Sequence, residues 1–475
     1  MMKSLFEISK NELEKHLSKN KKIDIAIIHL TFEGIQTYGG GVCSVIRGHI
    51  EALKVLKNKL KVYGIEITPY FCEIAYAGDH ERRDIAYEKY AKSIIEEMGG
   101  EIIYLTNFSR GYLPKASWGV GDLGGIENWK TAGASGASAA LNITKKHQAG
   151  VIYCHDSLYS FAPIYIALQS DAYDADALSI LVLHSTALTH ELPLPNPERL
   201  MAESAAIHWA KISPKVKLGY ISKFIRNHII KDYGASIKNM VPVGNGINPQ
   251  NEIFRQRSPE EIKIKLKEYN IPVDRELFVT WGRAVEYKRY DVNLKAAARL
   301  KNEIHPVVVI TPKYPELETL AKKLGINVSF VYKFDPELIA SLCQWEKSVA
   351  VGILSKFEPC GLIPMEMRMY SRNTGALLIV SDTGGLFEQV NDGVDGFVSK
   401  QDDDKDVAKV IKRILNLPDE EKTKIRKNGF VKVLKYYTWT SQILITLSSV
   451  FSSLRNIFNR VKKEIINDLR DSFLL

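Results

Sequence analysis

Three stretches of this 475-residue chain combine residue types that do chemistry with a setting that would hold them in place. In SKFEPCGLIPMEMRMYS, Glu358 falls on a loop after an apolar run, and Glu366 lies inside the helix that should begin near Gly361 or Leu362. Two carboxylates so placed can face one cleft at different depths and accept hydrogen bonds from sugar hydroxyls. The alternative is a capping residue and an exposed helical acid. In VTWGRAVEYKRYD, Arg283 and Lys288 sit just past another apolar run, where a planar fork and a point charge could together neutralise a diphosphate, or simply form a solvated basic loop. SDTGGLFEQV puts Thr383, Gly384 and Gly385 at a helix start, and GIQTYGGGVCSVIRGHIEAL does the same with Gly39, Gly40 and Gly41. Glycines there let backbone amides approach an anion at the positive end of a helix. For Gly39, Gly40 and Gly41 a tight strand-to-helix turn is an equal reading, and the cluster does not have the dinucleotide GxGxxG pattern. Two histidines follow first-half strands: His155 in YCHDSLYSFAP, for which packing is as good a reading, and His184 in LVLHSTALTHE, which a strand end would point into a cleft.

The elements that must position these residues alternate. Short β-branched runs, separated by longer helical patterns such as Asp84–Met98 and Ile126–His147, predict parallel sheets covered by crossover helices, an α/β fold. First-half strands are expected at Ile23–Leu30, Val62–Ile67, Glu101–Thr106, Val151–Cys154, Leu178–Leu183, Leu218–Ile221 and Met240–Val243. A second series, Leu277–Trp281, Val307–Ile310, Val328–Val331, Val349–Ile353 and Leu377–Val380, follows a polar stretch, Pro249 to Arg275, in which the domain boundary is placed. Each half reads as a doubly wound sheet, and such sheets bind ligands outside the carboxyl ends of their strands, so the chemistry is expected in the cleft between the halves.

Bulk properties narrow the class. The length suits two large domains, and 45% hydrophobic with 25% charged residues excludes a disordered or fibrous chain. Five widely spaced cysteines suggest neither a disulfide framework nor a metal site and fit a reducing cytosol. The N-terminal segment, residues 1–22, reads as an amphipathic helical extension without the apolar core of an export signal. The apolar stretch Gln442 to Phe451 is too short and serine-rich for a membrane span. A net charge of +9 would suit anionic partners, but it is spread along the chain; no nucleic-acid partner is expected and nothing indicates a membrane surface.

FEPCGL, the TGGL one strand later, GRAVEYK, HDSLYSFAP and VGNGIN occur in family order, and from about Ile23 to Trp439 the chain resembles the retaining GT-B glycosyltransferases, in particular glycogen and starch synthases and their group-1 relatives. That resemblance implies two Rossmann-like doubly wound domains: an acceptor domain over 23–248, a nucleotide-sugar domain over 249–438, and C-terminal helices over 439–475 crossing back to the first domain. It implies an enzyme that moves a hexose, glucose in the synthases, from a nucleotide diphosphate sugar to a carbohydrate acceptor, without cofactor or obligatory metal. Arg283 and Lys288 match the basic pair that neutralises the donor diphosphate, Glu358 the carboxylate that holds the sugar, and Glu366 the ribose-binding acid. Thr383, Gly384 and Gly385 match the phosphate-binding turn, His184 the active-site His, Gly39 and Gly40 the first-domain loop, and Asn245 lies in the segment resembling the synthases' LNGID. Tyr332 or Phe334 could stack on the base.

Departures bear on the acceptor. Thr37 and Tyr38 precede the glycines where bacterial glycogen synthases carry Lys, Arg289 replaces the usual glycine after Lys288, Ser157 and Leu158 replace the Trp and second His of HDWH, and SWGVGDLGGIENWK looks peculiar to this chain. A lipid-linked or small-molecule acceptor, or a catalytically silent sugar-nucleotide-binding protein, are the alternative readings; no pyridoxal-phosphate lysine context supports a phosphorylase.

Overall fold

The computed structural model describes residues 4–18, 21–76, 80–105, 125–191 and 194–473. The expected SWGVGDLGGIENWK insertion lies outside the described residues as far as Gly124. Two compact units are present: Met1–Gly246 together with Trp439–Leu475, and Ile247–Thr438.

The first unit is built on strands β1 Ile23–Thr31, β2 Ile65–Ile74, β3 Glu101–Leu105, β4 Ala149–His155, β5 Ala177–Val182, β6 Val216–Tyr220 and β7 Met240–Pro242. They run parallel in the order β3-β2-β1-β4-β5-β6-β7. Every residue of β4 and β5 is buried, which is why these runs read as continuous apolar segments rather than as alternating ones. Order reverses between β1 and β4, so their carboxyl ends frame the place where an open parallel sheet takes a ligand.

The second unit holds β8 Glu276–Arg283, β9 Ile304–Thr311, β10 Ser329–Val331, β11 Ser348–Ile353, β12 Leu377–Ser381 and β13 Phe397–Ser399. All are parallel, in the order β10-β9-β8-β11-β12-β13, with the reversal between β8 and β11. β13 has no counterpart among the expected strands; three residues give too short a run to stand out. β2 extends to Ile74, beyond the expected Ile67, through a segment containing Pro69 that reads as a strand breaker.

The stretch expected to be a boundary is not a linker. The break falls at Gly246/Ile247, and the polar residues after it form the helix Pro259–Glu268, started by a reciprocal capping box between Ser258 and Glu261. Arg257 is buried there, with Nη2 2.7 Å from Glu337 Oε2 and its amide donating to Gln344 Oε1 at 2.8 Å. A charged run therefore packs onto the second unit because its one buried cation is fully partnered.

The C-terminal helices Trp439–Val450 and Arg455–Ser472 belong to the first unit. The former lies against the helix Gly41–Lys61 so closely that a Cβ on Gly48 would sit 2.0 Å from Trp439 Nε1, and one on Gly244 would sit 2.2 Å from Gln442 Oε1. Thr446 Oγ1 donates to Pro242 O at 2.7 Å, and Lys59 pairs with Asp468 at 2.7 Å. No helix of the described residues is long and apolar enough to cross a membrane. Replacing Gly48 with Ala should force the buried Trp439 ring off its seat and destabilise the first unit by about 1–3 kcal/mol. Urea unfolding followed by Trp fluorescence should show an earlier midpoint for G48A, and an unshifted midpoint would contradict this packing.

Candidate functional site

In the second unit, the carboxyl ends of β8, β11 and β12 carry three loops that are tied to one another. β8 ends at Gly282 and Arg283; Gly282 has φ +141° and a Cβ there would lie 2.9 Å from Tyr290 Oη, whose hydroxyl donates to Arg283 O at 3.0 Å. Arg283 is exposed, with Nη2 3.2 Å from Tyr287 Oη. Tyr287 stacks on Phe357, centroids 5.1 Å apart, and Tyr287 O accepts from the Lys356 amide at 2.7 Å. The β8 loop is thereby fastened to the β11 loop.

The central contact of this site is an ion pair. Lys288 Nζ lies 2.6 Å from Glu358 Oε2, and both side chains are only 12% and 14% exposed. Ser355 Oγ donates to the same carboxylate oxygen at 3.2 Å, and Ser381 Oγ from the end of β12 donates to Ser355 O at 2.7 Å. Shielding from water makes this pair stronger than a surface one, and it fixes both charges in advance of any ligand.

Thr383, Gly384 and Gly385 form the floor beneath Glu358. Thr383 Oγ1 donates to Lys356 O at 3.0 Å and the Gly385 amide to Glu358 O at 2.8 Å. Gly384 has φ +58°, and a Cβ on it would meet Glu358 O at 2.5 Å; one on Gly385 would meet Pro359 O at 2.4 Å. The glycines are therefore required by the close approach of the Glu358 loop, and the Gly385 amide, expected to face phosphate, is already committed to that loop. Buried Gln389 completes the tie by donating to Gly361 O at 3.1 Å.

Arg289 follows Lys288 in the left-handed region, φ +55°. A side chain there costs roughly 1–2 kcal/mol relative to glycine. Here the cost is offset by pairing with Asp291 at 3.0 Å and Asp402 at 2.6 Å.

Glu366 lies in the first turn of the helix Ile363–Tyr370, partly buried, and no hydrogen bond or ion pair reaches its carboxylate from the described residues. Burial pushes its pKa up to about 7. An acid in that setting is held ready for a polar ligand group. Tyr332 hydrogen-bonds Glu318 through its hydroxyl, while Phe334 is exposed. Arg283, Lys288, Glu358, Thr383, Gly384 and Gly385 thus come together; Glu366 stands on the next helix without touching them directly.

His184, Gly39, Gly40 and Asn245 belong to the first unit. Gly39 and Gly40 have φ +100° and +83° and lead into the helix Gly41–Lys61. The place expected for an anion at this helix start is filled by a carboxyl of the chain itself: Glu33, just beyond β1, accepts from the Cys43 amide through Oε1 at 2.9 Å, and a Cβ on Gly40 would lie 2.6 Å from that oxygen. Burial drives the Glu33 pKa to about 8, against the Cys43 hydrogen bond and the Arg82 charge, with Asp156 and Glu73 adding to the rise. Its other oxygen has no hydrogen-bond partner among the described residues. Asn245 lies partly buried in the segment after β7.

His184 follows β5, partly buried, with Nε2 3.0 Å from Nδ1 of fully buried His155 at the end of β4. Burial lowers the His184 pKa to about 4, so the ring is neutral near pH 7. The loop after His155 is anchored by Arg199, whose Nε donates to Glu203 Oε1 at 2.7 Å and whose Nη1 donates to Glu191 Oε1 at 3.0 Å; Ser157 Oγ donates to the same Glu203 oxygen at 2.7 Å. Asp156 adopts φ +61° in this loop, and burial raises its pKa.

Two doubly wound parallel sheets, with a C-terminal segment returned to the first unit, define the GT-B glycosyltransferase fold. Residues 261–431, most of the second unit, match the family model for glycosyl transferases group 1. Granule-bound starch synthase 1 of Pisum sativum is 31% identical over 138 residues, which is 27% of this chain and 22% of that protein. Glycogen synthase 1 of Bradyrhizobium diazoefficiens is 24% identical over 314 residues, 56% of this chain and 65% of that one. The first eight curated relatives match over between 22% and 65% of their own length. Among solved structures, Anabaena HepE in complex with UDP and glucose superposes with a TM-score of 0.59 at 16% identity, covering 90% of this chain and 100% of HepE.

A carboxyl whose pKa is higher folded than unfolded binds more protons in the native state, so stability falls as pH rises between the two values. For Glu33 that window runs from about 4.3, the ordinary Glu value, to about 8. Glu73 and Glu366, each raised to about 7, add to the fall in its lower part. Glu33→Gln should flatten the decline of Tm between pH 7 and 8 and raise Tm relative to the parent at pH 9. Parallel Tm profiles for the two proteins would contradict the assignment.

Proposed function

We propose that the protein is a retaining glycosyltransferase that moves a hexose, glucose by analogy with its synthase relatives, from a nucleotide diphosphate sugar to a carbohydrate acceptor. The observation that carries this reading is the shielded Lys288–Glu358 pair, with Arg283 beside it, at the strand-order reversal of the group-1 domain. Cation and carboxylate are set side by side where an open sheet takes its ligand, which is the charge pattern a diphosphate-linked sugar requires.

In the reaction the bond from the anomeric carbon to the phosphate oxygen breaks as the acceptor oxygen bonds to the same face of that carbon. The acceptor proton passes to the departing phosphate. Negative charge grows on the diphosphate, where Arg283 and Lys288 meet it, and positive charge grows on the sugar, which Glu358 supports. No metal is needed if the two cations neutralise the leaving group, and no covalent nucleophile is assigned. Glu366, unpartnered and buried enough to value a hydrogen bond, suits the ribose. The loop before Gly39 lacks the lysine of glycogen synthases, which favours a carbohydrate acceptor other than a long α-glucan. Five free, buried cysteines accord with a cytoplasmic setting.

A thermal-shift panel of ADP-, UDP- and GDP-linked sugars should identify the donor, because a ligand at a hundredfold excess over its Kd stabilises by about 2.7 kcal/mol. With that donor, Arg283→Ala and Lys288→Ala should each lower turnover by on the order of 10²–10³ with circular dichroism unchanged. Full activity in either variant would defeat the role given to the pair.

A further inference from the structure

Three imidazoles form a hydrogen-bonded row across adjacent strands of the first unit. His29 Nδ1 lies 2.9 Å from His155 Nε2, and His155 Nδ1 lies 3.0 Å from His184 Nε2. The rings lie nearly parallel, at 15° and 13°. His29 and His155 have no exposure to solvent, and His29 is stacked between Phe71 and Tyr153 with its Nε2 lacking any hydrogen-bond partner among the described residues. His49 stands edge-on to His29 without a hydrogen bond to it. At the opposite end the row opens at His184, which is partly exposed and makes no hydrogen bond through Nδ1 to the described residues.

Burial disfavours charge on each ring; repulsion from His49 adds to this for His29, and repulsion from His29, His184 and His49 adds to it for His155. Three neutral imidazoles share three protons, one per ring. Each nitrogen-to-nitrogen contact needs one donor and one acceptor. Only two arrangements satisfy both contacts. In one, every ring carries its proton on Nδ1: His29 donates to His155, His155 donates to His184, and His184 presents an N–H outward. In the other, every proton is on Nε2, the donations reverse, and His29 Nε2–H is left without an acceptor in a dry, aromatic pocket. A buried orphan donor costs about 1–3 kcal/mol, and such donors are rarer in folded proteins than unsatisfied acceptors.

We infer that His155 and His29 are positioning residues that lock His184 as the Nδ1–H tautomer, so that its open face is a fixed, uncharged hydrogen-bond donor to an oxygen of the bound sugar. The row dead-ends at His29, so it stores a tautomer rather than conducting protons. The substrate oxygen rests on the proposed transferase function; the tautomer lock does not.

The test is a two-bond proton–nitrogen correlation spectrum of the full chain labelled with nitrogen-15 histidine, near pH 7 and without ligand. The His184 signals should show a protonated Nδ1 and a bare Nε2, and His155 should show the same pattern. In His155→Phe, His184 should move to the Nε2–H form that imidazole prefers in water, and turnover should fall by about 10²-fold, as expected for a misplaced donor, with donor affinity by thermal shift unchanged. A parent spectrum with the proton on His184 Nε2 would overturn the inference even if the variant failed to fold. So would a variant whose tautomer or turnover matched the parent. Should no sugar nucleotide bind while His184 still carries its proton on Nδ1, the proposed function fails and the lock stands.

Discussion

The second unit is organised around one shielded ion pair. Lys288 and Glu358 come from loops after different strands, and each would be costly to leave alone in so little solvent, so each loop is stable only where the other is. The surrounding contacts serve that pairing. Tyr287 stacks on Phe357 and accepts the Lys356 amide, Ser381 holds Ser355, and the Gly384–Gly385 turn runs close enough beneath Glu358 that a side chain at either glycine would collide with backbone. A preassembled pair of opposite charges lowers the reorganisation needed when a ligand brings its own opposite charges, which is how electrostatic preorganisation contributes to catalysis.

The first unit solves a different problem with neutral groups. At the carboxyl ends of β1, β4 and β5 it gathers Glu33, His155, Asp156 and His184, all with pKa values moved toward the uncharged form. Glu33 occupies the helix start that glycines usually leave open to an external anion. Arg199 is spent on Glu203 and Glu191 in anchoring the loop after His155, and Arg47 on Asp84. The titratable groups at this end of the first unit are thus held neutral by burial, whereas the second unit sets a charged pair, Lys288 and Glu358, at its strand ends.

Much of this was legible in the sequence. Apolar runs mark twelve of the thirteen strands, β2 only at its start, because buried parallel strands tolerate few polar residues, and β13 is missed because three residues leave no pattern. That Arg283, Lys288, Glu358 and Thr383 cluster is legible because each lies at or soon after the carboxyl end of a strand, where a parallel sheet presents side chains to one edge. What could not be read depends on strand order. His29 looks like a lone polar residue in an apolar run until β1, β4 and β5 are known to be neighbours. Glu33 looks like a loop acid until the chain folds back and sets it against Gly40 and Cys43. The 249–275 stretch was read as a boundary because charge usually means solvent, whereas Arg257 is buried by its pairing with Glu337. The committed amide of Gly385 was equally hidden, since a glycine turn that cradles phosphate and one that lets two loops touch have the same sequence.

The proposed mechanism has Glu358 gripping the sugar and Lys288 the phosphates, the two releasing each other when the donor arrives. It is tested most directly by calorimetric affinities of Glu358→Gln for a nucleoside diphosphate and for the corresponding nucleotide sugar. With the carboxylate gone, Lys288 is freed, so the diphosphate should bind at least as tightly as to the parent, while the extra affinity contributed by the sugar should be lost. Equal weakening of both ligands, or an unchanged preference for the sugar nucleotide, would contradict the account.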